Sequence, residues 1–188
     1  MTDPSSDVLK VPINKTRLEF LYDGVFAIAM TILVLELKIP ELEQRRSGTE
    51  LLHKLAHNAP AFGSWLISIA MLGVFWYHHQ RVYRWIERIS RPMLLVHLGL
   101  MATAAFFPFC AAMIGHYPGN RLAMLLYMGC AWVHVVLIWT LWVIAERTQA
   151  IAPQLDAAAI RAIRRRYIRG PLAMAVWAAA YFLLMPRL

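Results

Sequence analysis

The stretch "DGVFAIAMTILVLELKIP", residues 23–40, places a carboxylate at the threshold of a run in which Thr31 is the only polar side chain between Gly24 and Leu35. A bilayer core about 30 Å thick needs roughly 20 apolar residues in helical form, and the run from Leu18 to Ile39 meets that ruler. An acid at such an edge is costly unless it meets a partner or water, so Asp23 is a functional or architectural residue by position alone. Four more runs meet the ruler or approach it: Ala59 to Tyr77, Pro92 to Ile114, Leu122 to Ala145 and Pro171 to Met185. The expected fold is all-α, a polytopic membrane helix bundle of five transmembrane helices in a single domain over residues 1–188.

Composition supports this class. Of the 188 residues, 60% are apolar and 16% charged, too apolar for a soluble domain of this size. The net charge of +8 does not signal a nucleic-acid partner, because the arginines lie between apolar runs, where anionic headgroups are nearer. Cys110 and Cys130 fall inside apolar segments and read as small buried hydrophobes rather than a disulfide pair. The first run is too long for a signal peptide and lacks a small-residue cleavage site, so it reads as a retained helix.

Local signals refine the spans. The second run is expected to continue as helix through Arg81, Arg84 and Arg88; Ser90 and Pro92 open the third, which Pro108 should kink, and Asn120 opens the fourth. With the N-terminus cytoplasmic, 13 Lys and Arg residues fall inside and six outside, which favours that orientation. The stretch "DAAAIRAIRRRYIRG", 156–170, carries Ile160, Ile163 and Tyr167 on one helical stripe among arginines; it reads either as a topology signal or as a helix along the headgroups. Gly115 and Gly119 have the spacing of a helix-dimerisation motif, but Pro118 places them in a loop.

On a helical wheel with Ile28 at zero, Thr31, Ile32 and Leu35 fall within about 60° of it, whereas Asp23 falls near 220°. The carboxylate and the Ile28 stripe therefore meet different surroundings. Arg17, six residues before Asp23, is not a contacting pair with it. Partners from the second span are better placed: His78, His79 and Trp76. The stripe itself reads as a packing face or as a hydrophobic constriction in a pore, which would need several copies around one axis. Glu36 is either a cation attractor at the outer mouth or merely the polar end of the span beside Lys38.

The segment "RLEFLYDGVFAIAMTILVLELKIP" resembles the first helix of the endosomal and lysosomal potassium channel family, the transmembrane protein 175 family, in its shorter prokaryotic members. That family carries an Arg-x-x-x-Phe-Ser-Asp signature; Arg17 and Asp23 match its ends, and Leu21 and Tyr22 stand where it has Phe and Ser. "WYHHQRVY", 76–83, resembles the family's Trp-x-x-His followed by an Arg and an aromatic, which implies that Trp76 and His79 tie the second helix to Asp23. The resemblance implies a potassium-permeable cation channel, a homotetramer in a prokaryotic inner membrane. Its first helices line the pore, with an apolar ring at Ile28 and further layers at Thr31, Ile32 and Leu35. Six helices are usual there, so it also implies that this chain lacks the last.

No Thr-Val-Gly-Tyr-Gly filter occurs in the sequence, so a carbonyl filter of that kind is not expected. The alternative is a proton-coupled secondary transporter, whose usual mark, paired interrupted helices in two related halves, is not seen. His97 and His134, the deep polar candidates, read as ordinary interhelical hydrogen-bonding residues. His53 and His57 share a face at i,i+4, but no third ligand follows them, and no nucleophile and base are suitably placed. Enzymatic activity, a cofactor and a bound metal are not expected; the expected partners are potassium ions, the bilayer and other copies of the chain.

Overall fold

The computed structural model describes residues 14–44 and 46–184; Met185, the end of the fifth run, and Lys10, Arg45 and Arg187, counted among the charges above, lie outside the described residues. The described residues form α1 (Lys15–Ile32) with a 3-10 turn (Leu33–Glu36), α2 (Gly48–His57), α3 (Ala59–Tyr83), α4 (Arg91–His116), α5 (Arg121–Arg147) and α6 (Ala157–Leu184). Four of them, α1 with its turn, α3, α4 and α5, are long and apolar enough to cross a membrane. In lipid every backbone polar group must be satisfied internally, which is why these runs fold as helices.

The helix ends follow local chemistry. Asn14 caps α1 by accepting from the Arg17 N–H at 3.1 Å, and Asn120 caps α5 by accepting from Leu122 and Ala123. The first span stops at Glu36, short of Ile39, because Pro40 disfavours helical backbone at the residue before it. The second span ends at Tyr83; Arg84 is its cap, and Arg88 lies beyond the helix, donating to the Gln149 carbonyl oxygen at 3.3 Å. Ser90 occupies the cap position of α4 in extended backbone but makes no side-chain cap bond.

Two expectations are corrected. Gly115 is not in a loop: it lies in the last turn of α4, where an added Cβ would come within 3.2 Å of the Ala61 backbone of α3. Its small size lets the two helices close, and the Ser64 hydroxyl donates across the same crossing to the Ala111 carbonyl. The fifth apolar run is likewise not separate from the arginine-rich stretch before it. Both belong to the 28-residue α6, which runs through Pro171. The missing Pro N–H leaves the Tyr167 carbonyl, four residues earlier, without its helical donor; beside the proline, the Trp132 indole N–H of α5 donates to the Pro171 carbonyl at 3.1 Å and ties α6 to α5.

The core centres on α4, which packs against α1, α3 and α5, while α6 leans on α5. Gly170 brings α6 close: a Cβ there would stand 3.2 Å from Val135. At the Tyr83 end, Glu87 N–H donates to the Ala150 carbonyl at 2.8 Å and Ala152 N–H to the Trp85 carbonyl at 2.9 Å, a short antiparallel bridge joining two loops. Cys110 and Cys130 are free thiols.

Outside the spans, Ser47 caps α2 by accepting from the Glu50 N–H, and the Glu50 carboxylate reaches back to the Glu43 and Gln44 N–H groups at 2.9 and 3.1 Å while pairing with Lys54. The Glu43 N–H first, then Lys54, hold this carboxyl at about 2, below its ordinary 4.5. A depressed folded value means that the clip's contribution is fully present above the ordinary value and is lost as pH falls toward about 2. The carboxyl carbon shift of Glu50, followed by NMR in micelles, should titrate near 2; a midpoint near 4.5 would show that the clip does not form.

Candidate functional site

Helix α1 is held on one side only. Tyr22, Phe26 and Leu33 are 0–1% exposed against α3 and α4, while Ile28, Ile32 and Leu35 are 61%, 41% and 74% exposed. Thr31 is exposed on the same face, as are Gly24 and Ala27 one turn nearer Asp23. Leu35 stays in line although the helix tightens after Ile32, because three residues at about 120° each in a 3-10 turn return to the starting direction. The Thr31 hydroxyl donates to the Ile28 carbonyl at 2.8 Å, which spends its proton along the helix and leaves its oxygen lone pairs toward the open side. Glu36 lies off this stripe, lining a 420 Å³ cavity with Lys38, His57 and His116 beside the ends of α3 and α4.

The buried side is fixed by two adjacent residues that take different partners. Asp23 Oδ1 accepts from the Trp76 indole N–H at 2.8 Å and from the Gln80 amide at 2.9 Å, both on α3. Trp76 and Gln80 are i and i+4, so they share one face of that helix. His79 turns away from Asp23. It stacks on the Tyr22 ring at 3.6 Å between centroids, the two planes 18° from parallel, and on Tyr83 at 5.0 Å behind. The family resemblance implied that His79 would tie α3 to Asp23; the structure ties it instead to Tyr22, one residue earlier, because successive helical residues point about 100° apart. Arg17 is exposed, and among the described residues its side chain forms no ion pair with Asp23.

A hydrogen-bonded histidine chain runs behind this stack. His97 Nδ1 lies 2.9 Å from the Met93 carbonyl oxygen, which only accepts, so Nδ1 carries the proton. In the neutral ring, His97 Nε2 then accepts from His79 Nε2–H across 3.3 Å, which leaves His79 Nδ1 bare and buried. The same reasoning applies one layer deeper, where the Thr103 hydroxyl donates to Leu100 and so accepts from His134 Nδ1–H at 2.7 Å. His134 stacks on Phe75 at 4.4 Å and meets the edge of Phe26. His97 and His134 are thus interhelical hydrogen-bonding residues. Near the start of α1, the Tyr83 hydroxyl donates to the Lys15 carbonyl at 3.0 Å, and the Lys15 ammonium lies over the Tyr83 ring at 5.0 Å.

Sequence reasoning singled out Asp23, Trp76 and His79 but missed Gln80 and Tyr22. The signal for Gln80 was its i+4 spacing from Trp76; for Tyr22 it was a large aromatic at a signature position otherwise small. Among the described residues, no three His, Cys, Asp or Glu side chains lie close enough to hold a metal. His53 and His57 lie at the rim of an open 520 Å³ recess with Lys54.

Apolar spanning helices around a buried aromatic and histidine layer, with the first helix left bare along one face, define an integral membrane protein, and the proteins it is similar to are ion channels rather than enzymes. The family described as "Endosomal/lysosomal potassium channel TMEM175" matches residues 17–108. A potassium channel of Chamaesiphon minutus is 30% identical over 159 residues, 82% of this chain and 78% of its own. A potassium channel of Streptomyces collinus is 29% identical over 161 residues, 83% and 77% of the two chains. The crystal structure of a lysosomal potassium-selective channel TMEM175 homologue from Chamaesiphon minutus superposes with a TM-score of 0.76 at 29% identity, covering 90% of this chain and 87% of that one. This chain belongs to the TMEM175 family.

A double-mutant cycle tests the Asp23 anchor. Trp76→Phe and Asp23→Ala should each lower stability in detergent melts, with a coupling near 1 kcal/mol; the value sits below that of a fully buried charged hydrogen bond because Trp76 is 40% exposed. Additive effects would show that the contact contributes nothing.

Proposed function

We propose that the chain forms a potassium-permeable cation channel, a homotetramer in which the bare face of α1 surrounds a central pore. The observation that carries this reading is the division of α1 into a face locked against α3 and α4 and an exposed face bearing Ile28, Thr31, Ile32 and Leu35. A single subunit does not enclose a path with that face; several identical copies around one axis do. The names of the Chamaesiphon and Streptomyces relatives support potassium as the ion.

Along such a pore the residues sort by size. Gly24 and Ala27 leave room near the Asp23 end, Ile28 sets the narrowest apolar ring, and Leu35 forms a second. Constrictions of this kind gate by dewetting, because an apolar ring holds no water in place of an ion's shell. Thr31 supplies the exception, its outward lone pairs replacing part of that shell. Asp23, Trp76 and His79 take no direct part; they and Tyr22 fix the rotation of α1 so that Ile28 points at the axis, while Arg17 lies at the mouth on the arginine-rich side. The charge asymmetry supports a cytoplasmic N-terminus, and the bacterial relatives support a prokaryotic cell membrane.

Replacing Ile28 with Asn should raise potassium leak through reconstituted liposomes by about tenfold, the equivalent of ~1.4 kcal/mol off the barrier. Unchanged flux in a folded Ile28→Asn protein would remove Ile28 from the pore.

A further inference from the structure

Away from α1, a cleft of 290 Å³ opens between α3, α5 and α6. Its inner part is apolar, walled by Met71, Phe75, Ile138 and Met174, and its other end is polar, with His78 and Arg166. The two ends are separated along α3 by the seven residues from Met71 to His78, about 10 Å of helix rise. The apolar part therefore sits at span depth and the polar part toward the charged helix ends.

The charge at the polar end is one-sided. No carboxylate lines the cleft. Arg164, two residues from Arg166, is already paired with Glu146 at 3.1 Å. Among the described residues Arg166 has no hydrogen-bond or ion-pair partner, and Arg81 has only the Tyr77 ring beneath it at 5.7 Å. Both arginines stand near enough to His78 to act on it electrostatically. The His78 ring meets the edge of Tyr167 at 5.9 Å, which closes the floor of this end. A greasy slot ending in the unpaired Arg166 guanidinium, with the exposed Arg81 one turn of α3 beyond His78, is complementary to a molecule with a long hydrocarbon tail and an anionic head. Arginine's planar fork matches a phosphate in particular.

We propose that this cleft seats one acyl chain of an anionic phospholipid, with the headgroup phosphate against Arg166 and Arg81. The site is independent of the pore reading, because none of its lining residues lies on α1. A lipid here wedges between α3 and α6 and holds the arginine-bearing half of α6 to the bundle, adding to the Ile160, Ile163 and Tyr167 packing, the Gly170 approach and the Arg164–Glu146 pair.

The test uses the full chain purified in neutral detergent and titrated with dioleoylphosphatidylglycerol or dioleoylphosphatidylcholine, counting bound lipids by native mass spectrometry. The glycerol lipid should bind about tenfold more tightly than the choline lipid. Arg166→Gln should abolish most of that preference while leaving the choline lipid unchanged. Ala173→Phe, which obstructs the cleft from α6, should weaken both lipids. Val74→Phe obstructs it from α3 and serves in its place where Ala173→Phe does not yield folded protein. Equal binding of the two lipids by the unaltered chain, a preference that survives Arg166→Gln, or undiminished binding after obstruction would each overturn the proposal. A change of subunit number in either obstructed variant would do the same, assigning the cleft to a neighbouring copy.

Discussion

The rest of the structure depends on the one-sided clamp on α1. Within two consecutive residues, Tyr22 and Asp23, the helix commits a ring to the His79 stack and a carboxylate to the Trp76 and Gln80 donors. The two contacts act in directions about 100° apart around the helix, so together they fix its rotation as well as its distance from α3. A helix fixed in rotation presents the same stripe outward in every copy of the chain. Without that, no ring of identical side chains forms around an axis.

The form of this clamp follows from the solvent. Between helices in lipid there is little hydrophobic gain from association, so packing and interhelical hydrogen bonds decide the arrangement. The Gly115 crossing and the Gly170 approach are packing solutions, in which a missing side chain lets backbones close. The His79–His97 and Thr103–His134 bonds are polar ones, placed where bulk water does not compete. Each is ordered by a carbonyl behind it, Met93 or Leu100, which sets the direction of the proton and hence the identity of the donor. The α1 clamp combines both kinds, and its polar half, about two turns inside α1, meets the Asp23 carboxylate with two donors, which offsets the cost of placing it there.

Much of this was legible in the sequence. Four of the five expected spans are helices long and apolar enough to cross a membrane, and the wheel separates Ile28 from Asp23 because a helix has a known period. The Asp23 partner Trp76 was also legible, as the nearest amphipathic donor on the second span. His79 was assigned to the wrong neighbour because a one-residue step, Tyr22 against Asp23, decides the pairing, and sequence spacing within one helix does not report the rotation of another. The α6 join was hidden by Gly170 and Pro171, which ordinarily end a helix; here the Gly170 approach to Val135 and the Trp132 bond to the Pro171 carbonyl hold this stretch of α6 against α5. The 3-10 turn after Ile32 was also unforeseen, yet its three-residue period kept Leu35 in line with Ile32.

The central claim is that the Ile28 faces of separate subunits meet around a shared axis. Oxidative cross-linking tests it most directly, using Ile28→Cys in a background where Cys110 and Cys130 are replaced by Ala, with Leu95→Cys on the exposed side of α4 as the comparison. The account expects Ile28→Cys to form disulfide-linked pairs of chains in membranes and Leu95→Cys to remain single. Single chains for Ile28→Cys, with linked pairs for Leu95→Cys, would put the α1 stripe in lipid and contradict it.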